Sequence, residues 1–553
     1  MRQYDELSKH FRFSTTDKAA GSFAIICTTW CKQQLQDHLT SDAYVRVQST
    51  TAEVIARNLA NKCQSLGLPV LKDRRLLHNG KAVYTDPAAG LPRLYLTLKA
   101  HKTPVKGRPI CSTAGTQLSN IAKAIVPALN LGIETYDNIW CRVADYLTFS
   151  STASWILKQS SDVIGRLRTV LGMPASYGTP IAVYDFSSMF TEFVQHDMKR
   201  QIRAFVTMVF QYKAGMRILA TADLLGPYSP FKSCQEVMQS IKTKFGRQYK
   251  GMSKPINTTW SITDATTRCA EGTVRFDADN RTHICEYSLD NAYIQYDAHI
   301  YRQVKGIPMG LPTSPQFAHI YTGMYELTAM VRLSLALQRG HAIIDNRHMI
   351  QAMWNWSRMI DDIAAYGWRN ILELTHILTE YVYPTEVRDA DGSKVRNPMR
   401  LNLEREGKQI HYLDLDITVC SNEIFHTTVY NKRDHLEALH DYREFAHINS
   451  LISNTAKYGV YTSALHRYAR LCSTPSGFTA NAIRLLRKMV NHGYRYDKLR
   501  SQLYKFQASY QWRQLQIFHN RRAQSIKQIW RRMMRTVNRD RHMLKSIAHT
   551  IKR

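Results

Sequence analysis

The sequence predicts a mixed helix-and-strand protein that works on a polyanion, and three observations carry that expectation. Leu94-Tyr-Leu-Thr-Leu98 and Ile181-Ala-Val-Tyr184 are short runs of strand-favouring residues. Leu499, Leu503, Phe506 and Tyr510 recur at helical spacing near the carboxyl end. The third observation is charge: 74 Lys and Arg against 44 Asp and Glu leave a net +30. A field of that sign and size suits nucleic acid most simply, with an anionic membrane surface as the weaker option because no lipidation motif is present.

At 553 residues the chain has room for roughly three or four domain-sized units, and its 44% hydrophobic share excludes wholesale disorder. No run approaches the length of a membrane span, and Met1-Arg-Gln-Tyr-Asp-Glu-Leu7 has neither signal-peptide nor transit-peptide character. The expectation is a soluble, intracellular protein without membrane attachment. Ten cysteines show no paired spacing, and Cys27 and Cys31 lie in an apolar segment without a second pair nearby. Buried reduced thiols are therefore favoured over a zinc site.

In chain order, residues 1–90 read as mostly helical, with Ala24-Ile-Ile26, Trp30 and Leu35 forming one apolar face and Thr51–Leu66 another. From Leu91 a β-hairpin is expected, with Lys99, Lys102 and Arg108 around a turn at Pro104-Val-Lys-Gly107. Such cations suit a triphosphate, although a merely soluble basic hairpin has the same composition. A helix is expected over Ser119–Leu131. The apolar strand from Ile181 delivers one acid at its end, Asp185, which is either a helix N-cap or a metal ligand. Asp197 opens an amphipathic helix, residues 214–300 are less regular with a basic run from Lys242 to Lys254, and Lys305–Pro315 is a Gly/Pro loop opening a helix over Gln316–Met330. Small residues there let a backbone approach a flat substrate closely.

Trp356-Ser-Arg-Met-Ile-Asp-Asp-Ile363 places two adjacent carboxylates at the tip of an apolar hairpin. A half-buried pair of like charges is costly unless a cation neutralises it; a solvated surface turn is the alternative. Residues 371–382 read as a helix, Asp391-Gly392 as a turn, and His411–Ile417 as one strand paired with Thr427–Tyr430, with Asp414 and Asp416 on its polar face. From about 440 onward the chain is helical and basic. From Lys498 to the end 15 Lys and Arg face a single acid, Asp540, and Trp512, Trp530 and Met533 interleave with the basic residues. That composition suits a phosphate backbone with stacked bases.

The order of these motifs resembles a reverse transcriptase, and the subtype resembles Penelope-like elements, the branch related to telomerase. Lys99-Ala-His-Lys102 with Arg108-Pro-Ile110, Asp185-Phe-Ser-Ser-Met-Phe-Thr191, Gly306-Ile-Pro-Met-Gly310 with Ser314-Pro315, Ile360-Asp-Asp-Ile363 and Tyr412-Leu-Asp-Leu-Asp416 carry the likeness. Val429-Tyr-Asn-Lys432, Arg467–Ser473, Gly493-Tyr494 and the segment around Asp17-Lys18 and 23–39 extend it over about residues 15–500. Departures are Met359 where many relatives have an aromatic, Leu311-Pro312 where Ser-Pro is common, and no Gly-Ile-Tyr…Tyr-Ile-Gly endonuclease pattern.

The resemblance implies an α+β right hand: a helical amino-terminal extension over 1–90, fingers over 91–175, palm over 176–435, helical thumb over 436–500 and a basic helical tail over 501–553. It implies an RNA-directed DNA polymerase that adds dNTPs to a DNA primer on an RNA template. Two Mg²⁺ ions, with Mn²⁺ as an alternative, would be held by Asp185, Asp361 and Asp362. Lys99, Lys102 and Arg108 would hold the triphosphate, Phe190 would crowd a ribose 2′-hydroxyl, and Gly310 would lie against the new base pair. Lys408 is the weakest assignment, as proton donor to pyrophosphate. An endonuclease partner in trans and a nuclear address in a eukaryote are further implications. Competing readings are a domesticated relative that extends ends, in telomere-like or untemplated fashion, and a non-catalytic RNA-binding or maturase-like protein. An RNA-dependent RNA polymerase is disfavoured by Phe190.

Overall fold

The computed structural model describes residues 6–15 (except 8), 23–66, 75–78, 81–84, 91–99, 104–173, 176, 178–212 (except 188), 216–218, 260–262, 274–276, 278–340, 344, 346–420 (except 398), 425–431, 445–507 and 535. Lys102, the basic run 242–254 and nearly all of the basic tail beyond 507 therefore lie outside the described residues.

A four-stranded antiparallel sheet forms the centre, in the order Ser357–Met359, Asp362–Tyr366, Ile181–Ser187, Arg400–Gly407. Ile181, Ala182, Val183 and Tyr184 are buried at 0–2% exposure, because this strand is flanked on both edges and covered by the core. That explains why it reads as a continuous apolar run rather than an alternating one. Helices Gln117–Tyr146, Gln195–Tyr212 and Ser314–Gln338 pack on one another beside it. The first begins where the Thr116 hydroxyl accepts from the Ser119 amide at 3.2 Å. Its buried Ile121, Ile125, Ala128 and Leu129 follow helical spacing. Both this helix and Ser314–Gln338 run further than their sequence signals; the first continues through Pro127 and Gly132, where buried packing overrides the local stop signal.

A five-stranded sheet lies to one side, in the order Tyr44–Val47, His299–Gln303, Tyr293–Tyr296, Arg93–Lys99, Lys106–Ser112. Its last two strands are the expected basic hairpin, in register from Arg93↔Ser112 to Lys99↔Lys106. The Thr28–Leu39 helix covers one face through Leu35 and Leu39, which meet Leu94, Leu96, Cys111 and Ile294 in a separate small core. Towards the carboxyl end, a three-stranded sheet (Gln409–Tyr412, Leu415–Val419, Phe425–Val429) adjoins helices Asn454–Leu471, Pro475–Asn491 and Tyr496–Gln507. Thr474 caps the second of these, accepting from the Gly477 amide at 3.2 Å, with Pro475 in its first turn. No helix among the described residues is long and apolar enough to cross a membrane.

Two expectations are corrected. The amino-terminal region is not wholly helical: beside helices Thr28–Leu39 and Ala52–Ser65, Phe11–Thr15 and Phe23–Cys27 pair as a hairpin, and Tyr44–Val47 joins the five-stranded sheet. Ala24-Ile-Ile26 is a strand segment because aromatic and β-branched residues flank it, and the helix that holds Trp30 and Leu35 starts only at Thr28. Likewise, His411–Ile417 is two strands. Leu413 takes φ +54°, so the chain reverses and Tyr412 pairs with Leu415.

Five fully buried tryptophans, Trp140, Trp155, Trp354, Trp356 and Trp368, fill the core around the Ser357–Tyr366 hairpin. Trp356 lies 5.1 Å from Trp155 and 6.1 Å from Trp368, and its indole N–H donates to the Tyr366 carbonyl at 2.9 Å. Trp356→Ala should lower the free energy of unfolding by about 3–5 kcal/mol, read from the shift of the urea midpoint.

Candidate active site

The lone acid at the end of an apolar strand and the acidic pair at a hairpin tip converge. Asp185 is the register partner of Asp362 on the adjacent strand, and Asp361 occupies the turn just before it. The three half-buried carboxylates can each offer an oxygen such that all three lie within 4.8 Å of one another. It is the one such group of three or more His, Cys, Asp or Glu residues among the described residues. Three carboxylates at that range repel one another, and hard divalent cations favour all-oxygen donor sets of this kind. The donor set therefore fits Mg²⁺ or Mn²⁺.

Backbone and buried side chains fix this geometry. Ile360, at the tip of the hairpin, has φ +59°, a left-handed conformation that a β-branched residue rarely adopts. Two hydrogen bonds hold it there. The Phe186 amide donates to the Asp361 carbonyl at 3.2 Å, and Arg358 Nη1 donates to the Ile360 carbonyl at 3.2 Å. Tyr412, itself buried, donates its hydroxyl to the Asp362 carbonyl at 3.0 Å.

Arg358 has no exposed surface, and neither has its partner Glu326. The guanidinium Nε bonds one Glu326 oxygen, and Nη2 reaches the other at 3.2 Å. Tyr383 Oη donates to Glu326 at 2.7 Å, and His319 Nδ1 lies 3.2 Å from Arg358 Nη1. Burial, the largest single influence, favours the neutral guanidine, but the Glu326 charge and hydrogen bond together with Tyr383 and Tyr136 outweigh it, and the Arg358 pKa rises. Burial, helped by Arg358, pushes His319 down to about 3, which leaves its imidazole neutral and able to accept. Sequence reading missed this network. Its signal was a lone acid, Glu326, inside the otherwise apolar 314–338 stretch, since an unpaired buried acid is rare.

The Lys305–Thr313 loop is tied down at two points where a side chain would not fit. A Cβ on Gly306 (φ +71°) would lie 2.2 Å from the Phe190 carbonyl, and the Ile307 amide donates to that carbonyl at 2.7 Å. A Cβ on Gly310 (φ +118°) would lie 2.1 Å from the Cys111 carbonyl, and the Cys111 amide donates to Met309 at 2.8 Å. Phe190 is thereby set beside one end of the loop and the basic hairpin beside the other. On that hairpin Lys99, Lys106 and Arg108 share one face, since directly paired residues and residues two apart point the same way.

Other sequence candidates lie elsewhere. Lys408 follows Gly407, which pairs with Ile181 at the end of the strand opposite to Asp185. Four residues of strand amount to about 13 Å. Its Nζ lies 3.7 Å from where a Cβ on Gly178 would sit, further from the carboxylates still. Register, not sequence proximity, decides the matter, and Lys408 is not the proton donor; Asn402 is the residue opposite Asp185. Asp414 pairs with Arg467 at 2.8 Å and accepts from Ser160, and Asp416 bonds His411.

Arg358→Ala leaves the Glu326 charge buried without its guanidinium and should cost about 3–5 kcal/mol, measured by urea unfolding. Arg358→Met with Glu326→Leu should regain most of that stability. Loss of stability in the double variant equal to that in the single one would show that apolar side chains cannot replace the pair and that the orphaned Glu326 charge is not the source of the loss.

No protein-family model matches the chain, and no curated protein matches it. Among solved structures it is similar to a telomerase from Candida albicans in complex with a TWJ fragment of telomeric RNA, at 12% identity and TM-score 0.46, over 92% of this chain and 68% of that one. An apo telomerase from Candida tropicalis is similar at 10% identity and TM-score 0.42, over 91% and 66%. The BmCPV RNA-dependent RNA polymerase is similar at 9% identity and TM-score 0.33, over 87% and 30%.

Proposed function

We propose that the chain is an RNA-directed DNA polymerase of the Penelope-like type, adding dNTPs to a primer 3′-hydroxyl on an RNA template. The observation that carries this reading is the convergence of Asp185, Asp361 and Asp362 on adjacent strands, with ligand oxygens within 4.8 Å of one another. The motif order in the sequence supports it. So does the arrangement of a carboxylate-bearing sheet (palm), a basic hairpin sheet (fingers) and a carboxyl-terminal helical unit (thumb).

Divalent cations bound here would activate the attacking hydroxyl and neutralise charge developing on the leaving pyrophosphate. The chain's own contribution is position and charge. Asp185 and Asp361 are the principal ligands in this proposal, with Asp362 beside them. Lys99 and Arg108 (with Lys102, outside the described residues) would take the triphosphate, Arg by a bidentate fork and Lys as a point charge. Gly310, having no side chain, leaves backbone free to lie against the nascent base pair. Phe190, fixed through its carbonyl to Ile307, would leave no room for a ribose 2′-hydroxyl.

In primer extension on an RNA template with Mg²⁺, Asp185→Asn and Asp361→Ala should each lower dNTP incorporation by roughly a thousandfold or more. Affinity for the primer–template should stay nearly unchanged. Retained synthesis in either variant refutes the assignment. Phe190→Ala should raise the ratio of ribonucleotide to deoxyribonucleotide incorporation by roughly tenfold or more, read from kcat/KM for each substrate; an unchanged ratio refutes the steric role.

A further inference from the structure

A basic cavity lies where three elements meet: the start of the Gln195–Tyr212 helix, the end of the His299–Gln303 strand, and the hairpin formed by Glu386–Arg388 and Lys394–Arg396. Its volume is about 470 Å³, within the range of small-ligand sites. His196, Lys199, Arg302, Lys305 and Arg396 line it, with two acids, Asp290 and Asp389. Lys199 is held by Asp290, and Lys305 by Asp42. His196, Arg302 and Arg396 have no side-chain partner among the described residues, and both arginines are exposed. The helix adds the positive end of its dipole. Asp197, the acid of its first turn, does not oppose that end. It is buried at 0% exposure, where it accepts from Tyr321 Oη at 2.8 Å and pairs with Arg200.

We propose that this cavity binds a linear oligophosphate, free or as the tail of a nucleoside triphosphate, separately from the carboxylate cluster. The site itself does not rest on the polymerase reading. Only the source does, since that reaction would consume one such anion and release another. The lining carries four formal positive charges, on Lys199, Arg302, Lys305 and Arg396, against two negative ones. These cations come from a helix, a strand end, a loop and a hairpin, which suits several phosphoryl groups in series better than one. Arginine meets a phosphate with a fork and lysine with a point charge. No Phe, Tyr or Trp ring lines the cavity. A nucleic-acid strand is held largely by stacking on such rings, so their lack here favours a ligand recognised through its phosphates.

Position separates this cavity from the catalytic centre without isolating it. Gln195 Nε2 donates to the Gly306 carbonyl at 3.1 Å and to the Gln303 carbonyl at 3.3 Å. The cavity wall is thereby tied to the loop that touches Phe190 and Cys111. Asp185, Asp361, Asp362, Lys99 and Arg108 are all absent from the lining.

The test titrates the full chain with tripolyphosphate in the absence of divalent cations, a condition in which the three bare carboxylates repel phosphate from the catalytic centre. Binding should saturate at one equivalent per chain. Arg302→Ala with Arg396→Ala should weaken it by roughly tenfold or more, while Lys99→Ala with Arg108→Ala should leave it unchanged. Each pair removes two charges, so a mere field effect would weaken both alike. Arg302 and Arg396 are exposed, and their loss spares the core. Binding that never saturates, or equal weakening in the two pairs, overturns the proposal. Displacement of tripolyphosphate by a single-stranded RNA oligonucleotide without terminal phosphates also overturns it. Affinities of dATP and dCTP should match that of tripolyphosphate; a preference of roughly tenfold for either nucleotide overturns recognition through the phosphates alone. Primer extension run alongside keeps the two readings apart: extension without this binding sinks only the cavity, and binding without extension sinks only the polymerase.

Discussion

Arg358 and Glu326 hold one another without solvent exposure directly behind the turn that carries Asp361 and Asp362. Removing two such charges from water is expensive, and their attraction in the core repays that only with good geometry and further hydrogen bonds. Glu326 has Tyr383 as an additional donor, and Arg358 has the neutral His319 and the Ile360 carbonyl as acceptors. The pair is thus no great source of stability relative to apolar side chains of similar volume. What apolar side chains cannot do is donate to the carbonyl of a residue held at positive φ. Strain of this sort costs on the order of 1–3 kcal/mol and persists only where surroundings overdetermine it. A strained tip aims Asp361 back towards Asp185 across the strand, which a relaxed turn has no reason to do.

A second constraint joins the carboxylate sheet to the basic one. Gly306 and Gly310 let the intervening loop touch backbone on both sides, at Phe190 and at Cys111, with no room for a methyl group at either contact. Phe190 and the Lys99–Arg108 hairpin are consequently positioned by the same loop. Under the proposed function, in which the hairpin takes a triphosphate and Phe190 meets a ribose, a single rigid connector between those two contacts would have a mechanical advantage.

The carboxylates were legible in the sequence because strands and apolar runs make an acid conspicuous. Asp185 ends an apolar run, and Asp361 and Asp362 interrupt another. The basic hairpin was legible through its turn residues, and the helices through apolar spacing. What failed, failed for want of register. Nothing in Lys408 or Asn402 says which will face Asp185; that depends on a strand pairing more than two hundred residues distant in sequence. His411–Ile417 alternates in sequence through Leu413, Leu415 and Ile417, but the two-residue turn shifts the parity of buried positions, from Ile410 and Tyr412 before it to Leu415 and Ile417 after it, which sequence alternation does not reveal. Ala24-Ile-Ile26 was too short to distinguish strand from helix by periodicity. Arg358 looked like a flanking cation, and only the fold brings Glu326 to it.

The charge distribution follows the same logic at larger scale. A chain with a net +30 attracts polyanions everywhere, which by itself produces binding without position. The carboxylate cluster is a local reversal of that field. A phosphate approaching it is repelled until a cation intervenes, whereas a phosphate approaching the hairpin is not. Opposed fields on two sheets joined by one loop leave a polyanionic substrate few low-energy orientations. Under the proposed function, that orientational bias, set by Asp185 on one side and Arg108 on the other, would convert general affinity for nucleic acid into a site where one phosphate is presented for reaction.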